Sequence, residues 1–170
     1  FRKDYQIIGL IGDPLESPSH LQGSEAVAYL ENVEGIPSYM PDYQKEQANA
    51  SFIREALNQG LLSSVHDVSD GGLAMALMEC CLGASAKPGI GARVSMKNAK
   101  HSVSELFGEG PPRYIISAEL ESAGRLRDLA ASHRVTFAEI GRTGGDALAI
   151  EPFFNISLRA LREQWESPWH

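Results

Sequence analysis

Residues 63–82, SSVHDVSDGGLAMALMECCL, constrain this chain more than any other stretch. Up to Val68 the segment has the β-branched and small apolar character of a short buried strand, and after a double glycine it becomes a long apolar run. Leu73, Ala76, Leu77, Cys80 and Cys81 fit the i, i+3, i+4, i+7, i+8 template of a helix. Ala74, Met75, Met78 and Leu82 fill the other faces, so the helix is expected to be covered on nearly all sides. A strand, a sharp turn and an enclosed helix therefore form the centre about which the remaining elements must pack.

The entrance to that helix carries the chemistry. Asp70 stands where a cap belongs, and Gly71 and Gly72 follow without side chains to obstruct the free amides of the first turn. Two readings stay open. Asp70 satisfies those donors and the glycines serve close packing, or the donors and the positive end of the helix dipole receive an anion. Asp67 and Asp70 disfavour a naked phosphate but suit one carried with Mg²⁺.

A chain of 170 residues without a Pro/Ser-rich linker or charge block reads as a single domain spanning 1–170. Its net charge of −7, with no basic patch, opposes nucleic-acid and anionic-membrane roles. The longest wholly apolar run, residues 73–78, is too short to span a bilayer, and the start Phe-Arg-Lys-Asp-Tyr lacks a signal-peptide core. A cytoplasmic protein is expected, and the missing initiator Met suggests a piece of a longer polypeptide. Adjacent Cys80 and Cys81, with Cα atoms ~3.8 Å apart, are closer than ordinary disulfide geometry accepts and read as buried thiols. No ligand spacing predicts a metal cluster.

Taken in order, residues 5–11 read as a strand ended by Gly12-Asp13-Pro14. A polar loop over residues 17–22 then leads to Gly23-Ser24-Glu25 and a short helix that Ser24 can cap. Residues 35–41 break the chain. Asp42 opens a helix with Ala48, Phe52, Ile53, Ala56 and Leu57 on one side and Gly60 as its stop. Beyond the central helix, Ala92, Val94 and Met96 alternate in a half-buried strand, and residues 98–104 are irregular or briefly helical. The glycine- and proline-rich loop 106–113 precedes a strand over 114–119. Glu109 and Arg113 there could orient a polar ligand, accepting from hydroxyls and donating to phosphate, or form a local ion pair. Ser122 caps a helix ending near His133. Residues 135–140 and 147–150 then form a hairpin around Gly141-Arg142-Thr143-Gly144-Gly145, which lacks the Lys of a Walker loop. Asn155 caps a last helix burying Leu158, Leu161 and Trp165. His66 and His133 read as structural rather than catalytic. The order β-α-α-β-α-β-β-α-β-β-α predicts an α/β (α+β) sandwich with a mixed sheet.

Gly23-Ser24-Glu25, His66-Asp67-Val68-Ser69-Asp70-Gly71-Gly72-Leu73 and Leu106-Phe107-Gly108-Glu109 with Arg113 together resemble the C-terminal domain of the aminoimidazole ribonucleotide synthetase superfamily. Gly141-Arg142-Thr143-Gly144-Gly145 fits too, and the resemblance covers residues 5–165. Within the superfamily the chain looks most like the last synthetase domain of the purine-pathway ligases that convert formylglycinamide ribonucleotide to its amidine. That resemblance implies an ATP- and Mg²⁺-dependent ligase working with an upstream ATP-binding domain of the same chain and a glutaminase domain or subunit. This domain would form half of a degenerate second site. It implies Asp67, Ser69, Asp70, Gly71 and Gly72 as cofactor-facing residues and Ser24, Glu109 and Arg113 as substrate-facing ones, with no catalytic residue and no metal site of its own.

The family's Glu-Ser-Gln loop corresponds here to Glu109-Gly110-Pro111, a departure that favours a scaffolding or nucleotide-holding role. The domain is expected to be inert alone, to hold no nucleotide tightly, and to self-associate through surface that an upstream domain would cover. The alternatives are a C-terminal domain of thiamine-monophosphate kinase, selenophosphate synthetase or a hydrogenase maturation factor, and a non-catalytic nucleotide-binding or assembly module.

Overall fold

The computed structural model describes residues 1–13, 21, 23–31, 42–83, 89–96, 102–110 and 112–167. The loop expected over 17–22 falls almost wholly outside these residues, and the break over 35–41 wholly so. Seven strands, β1 (Ile7–Ile11), β2 (Ser64–Val68), β3 (Ala92–Ser95), β4 (Arg113–Ala118), β5 (Phe137–Thr143), β6 (Ala147–Glu151) and β7 (Phe154–Ser157), form one sheet in the order β2-β4-β1-β5-β3-β6-β7. Among the described residues only β3 and β6 pair in parallel. The helices are α1 (Glu25–Glu31), α2 (Tyr43–Asn58), α3 (Gly72–Leu82), α4 (Ser102–Phe107), α5 (Ala123–His133) and α6 (Leu158–Trp165). This is the mixed-sheet α/β sandwich that the sequence predicts.

Strand β1 lies inside the sheet, between β4 and β5, and its run Ile-Ile-Gly-Leu-Ile is buried throughout. Successive side chains of a strand point to opposite faces. Ile8 and Leu10 therefore join Leu73, Leu77 and Leu158 in one core, while Ile7 and Ile11 join Phe52, Leu126 and Ala130 in the other. Helices α3 and α6 cover the first face; α2 and α5 cover the second. The predicted stop of α2 holds, since Gly60 donates to the Leu57 carbonyl and Leu61 to that of Ala56. Asp42 caps its start through the amides of Gln44 and Lys45.

Several local expectations fail for identifiable reasons. The segments 137–143 and 147–151 do not form a hairpin, because β3 inserts between them, antiparallel to β5 and parallel to β6. Gly91 secures that insertion by donating to the Gly145 carbonyl and accepting from the Gly144 amide. Asn155 is not a cap: it lies within β7, which pairs with β6, and Ser157 caps α6 by accepting from the Ala160 amide. Ser122 makes no side-chain cap bond, because a 3-10 turn over Leu120–Ser122 runs directly into α5. Leu57 and Trp165 are 51% and 45% exposed, so neither is a core residue. His133 closes α5 as expected; its ring stands edge-on to Phe52 and its Nε2 lies 2.7 Å from Glu55 Oε2.

Candidate functional site

Strand β2 delivers the chain to the start of α3 through Ser69-Asp70-Gly71. The residue at the cap position is Gly71, in a left-handed conformation at φ +74°, and no side chain caps the helix locally. Asp70 therefore does not cap α3, contrary to expectation, and is exposed. Its place is one residue too early, and the residue at the cap position has no side chain to offer. The Gly72 amide turns back to the Ser69 carbonyl at 3.0 Å. The Gly71 amide instead donates to Glu109 Oε1 at 2.8 Å, a carboxylate 38 residues away in sequence.

The same oxygen accepts from the Glu25 amide at the start of α1, also at 2.8 Å. Thus the three motifs of the sequence, Gly-Ser-Glu, Asp-Gly-Gly and Gly-Glu, converge on one carboxylate. Ser24 precedes α1 and caps it, its Oγ accepting from the Val27 amide at 3.4 Å, and it is 1% exposed.

Arg113, read either as a donor to phosphate or as half of a local ion pair at the loop, is 1% exposed, and an ion pair, with Glu105, is what forms. Its Nη1 donates to the carbonyl and to Oε2 of buried Glu105, both at 3.2 Å, and its Nη2 donates to the Gly108 carbonyl at 3.0 Å. Its Nε has no partner among the described residues. Burial pushes the guanidinium down to about 10, against the pull of Glu105 in the other direction. The reason for the burial lies in register: Arg113 opens β4 opposite Val68, at the sheet end where α4 closes over it. Glu105 is the residue that sequence reasoning missed. Its only signal was a lone acid set among Val103, Leu106 and Phe107.

On the exposed side of the turn, Asp67 Oδ2 accepts from Ser69 Oγ, and that bond holds the carboxyl below the usual aspartate range, aided by its own backbone amide. His66 Nδ1–H donates to the Asp67 carbonyl at 2.6 Å and its Nε2 lies 3.4 Å from Glu79 Oε2. Gly72 is buried, and a Cβ there would meet the Leu106 carbonyl oxygen at 2.7 Å and Phe107 backbone atoms at 2.9 Å. Its missing side chain thus admits α4. Among the described residues no three His, Cys, Asp or Glu groups converge to hold a metal ion. Asp67 and Asp70 both stand exposed at this turn, and one or two carboxylates are what Mg²⁺ ordinarily takes from protein when a nucleotide's phosphates and water complete its shell.

Beside this junction lies an open apolar cavity of ≈ 510 Å³, lined among others by Glu25, Tyr29, Gly71, Met75, Met78 and Phe107. A second cavity of ≈ 430 Å³ borders β2 and is lined by Phe1, Val65, His66, Glu79, Cys80 and Trp165 among others. No helix among the described residues is long and apolar enough to cross a membrane.

Comparison with known proteins agrees with this arrangement. The phosphoribosylformylglycinamidine synthase subunit PurL of Bartonella bacilliformis is 35% identical over 166 residues, which is 97% of this chain and 21% of that protein. Among solved structures, T. maritima PurL complexed with FGAR superposes with a TM-score of 0.71 at 17% identity, covering 94% of this chain and 28% of that one. T. maritima PurL complexed with ATP gives 0.70 at 16% identity, over 94% and 26%. The chain therefore spans about a fifth of the length of the curated relative. The family model described as AIR synthase related protein, C-terminal domain, matches residues 6–150, and with the three motifs meeting at Glu109 this chain belongs to that family.

Proposed function

We propose that this chain is the last synthetase domain of a phosphoribosylformylglycinamidine synthase, contributing to formation of formylglycinamidine ribonucleotide in purine biosynthesis as one part of a longer ATP-dependent ligase. The observation that carries the reading is the 35% identity to PurL across 97% of the chain. The ligase branch is favoured over the kinase and maturation-factor branches by Gly23-Ser24-Glu25 and Phe107-Gly108-Glu109, which converge at the start of α3.

In this reading the exposed edge formed by Asp67, Ser69 and Asp70, with Gly71 and Gly72 behind it, faces the nucleotide side of a cleft whose other wall is an upstream ATP-binding domain. Glu109 keeps one carboxylate oxygen, Oε2, for a substrate hydroxyl. Ser24 and Arg113 act from within, holding α1 and the 108–110 loop. The domain supplies no acid, base or nucleophile for amide activation and is inactive alone, and it works in the cytoplasm with a glutaminase that delivers ammonia.

A chimera tests this directly. The matching 166 residues of the Bartonella PurL are replaced by this chain, and ADP release dependent on formylglycinamide ribonucleotide and ammonia is followed. Activity that depends on the transplanted domain is expected. A chimera that melts cooperatively yet releases no substrate-dependent ADP refutes the reading.

A further inference from the structure

Helix α1 is short, seven residues, and carries Tyr29 and Leu30 at 86% and 79% exposure. Among the described residues no other element packs extensively against it. It nevertheless supplies Glu25, Ala26, Tyr29 and Leu30 to the wall of the ≈ 510 Å³ cavity, facing Met75 and Met78 of α3. Among the described residues, the hydrogen bonds that join these two walls run to a single acceptor. Glu109 Oε1 takes the amides of Glu25 and Gly71, each at 2.8 Å. Both amides belong to helix starts, where no intrahelical carbonyl is available to them.

The loop bearing Glu109 is itself fixed from behind. Arg113 Nη2 grips the Gly108 carbonyl, Nη1 grips Glu105, and the Gly108 amide closes on the Ser104 carbonyl at 2.8 Å. The Asn49 amide nitrogen donates to the Pro112 carbonyl at 3.2 Å on the far side of the loop. A carboxylate whose backbone is clamped on both sides is a rigid strut, and its bonds carry the extra strength of an ionised acceptor.

We infer that Glu109 is a latch joining α1 to α3, and that this one carboxylate sets the position of the movable wall of the apolar cavity, with Arg113 as the buried residue that positions it. The inference goes beyond the ligase reading and stands or falls separately from it. The α3 arm of the latch is partly buried, whereas the α1 arm is exposed to water. Release therefore starts at α1, and loss of the latch lets that wall of the cavity move away from α3. The Ser24 cap keeps α1 helical while it moves.

Amide hydrogen exchange on the 170-residue chain, read by NMR, tests the latch. In Glu109→Ala the Glu25 and Gly71 amides are expected to exchange about tenfold faster or more, together, while the amides of residues 76–82 keep their protection. Uptake of the dye bis-ANS by the opened cavity rises in parallel. Glu25→Pro removes the α1 donor at a helical position that accepts proline, so α1 is expected to loosen while Gly71 stays protected. That variant decides the matter even if Glu109→Ala does not fold. The latch is overturned if Glu109→Ala leaves either amide unchanged or strips protection from the whole of α3, or if Glu25→Pro leaves α1 as protected as in the wild type.

Discussion

Replacing Gly72 with alanine is the sharpest test of how α3 is seated. Gly72 has φ +67°, a conformation that costs an L residue about 1–2 kcal/mol. A Cβ there would also stand 2.7 Å from the Leu106 carbonyl oxygen and 2.9 Å from two Phe107 backbone atoms, so the end of α4 must retreat. Overpacking of that kind adds about 1–3 kcal/mol, giving a total near ~2–5 kcal/mol. Gly60 supplies the control. Its φ is +66° and a Cβ there meets nothing within 4 Å, so Gly60→Ala carries the backbone cost alone, about 1–2 kcal/mol. In urea, with a slope of roughly 1–3 kcal/mol per molar, the two midpoints are expected to differ by about 1 M. Equilibrium unfolding followed by circular dichroism reads both. Equal midpoints for the two variants would show that the contact between α4 and the start of α3 yields freely, and the account of why a glycine stands at 72 would fail.

Arg113→Met takes the cation from beside buried Glu105 and is expected to cost about 3–5 kcal/mol in the same urea experiment; a loss below about 1 kcal/mol would show that the pair is dispensable. The Asp13 carboxyl is held below its ordinary 3.8 by hydrogen bonds from Lys45 and Thr136. Its contribution is thus complete above the unfolded value and lost as pH falls through the lower folded value, so the Tm gap between wild type and Asp13→Asn should shrink on acidification through that window. A gap that widens would reverse the assignment. Burial pushes the Cys80 and Cys81 thiols up to about 12, so labelling by a thiol reagent at neutral pH should proceed at the rate of global unfolding. Fast labelling of the folded chain would contradict the burial.

Much of the architecture was legible because it rests on periodicity over short spans. The 3.6-residue pattern in 73–82 gave α3 and its burial, Asp42 gave the start of α2, and the alternation at Ala92, Val94 and Met96 gave β3. Where pairing was inferred from adjacency the reading failed. A strand's pattern reports that one of its faces is covered but not which neighbour lies beside it, so the insertion of β3 between β5 and β6 left no local mark. Strand β7 hid for a related reason: four residues before a helix resemble a capping segment until their partner β6 is known.

The sequence by itself determined the mixed α/β class, the enclosed central helix, the absence of bonded cysteines and the three motifs that mark the family. Only the tertiary structure decided what those motifs do to one another. Hydrogen bonds across tens of residues depend on where the backbone returns, which no local spacing encodes. Asp70, adjacent to the helix, was therefore left in solvent while Glu109 arrived from the far side of α4 to take both helix-start amides. Burial is likewise a property of the assembled layers. Arg113, a charged residue in a proline-rich loop, became the buried strut behind that carboxylate because the strand it begins lies under α4.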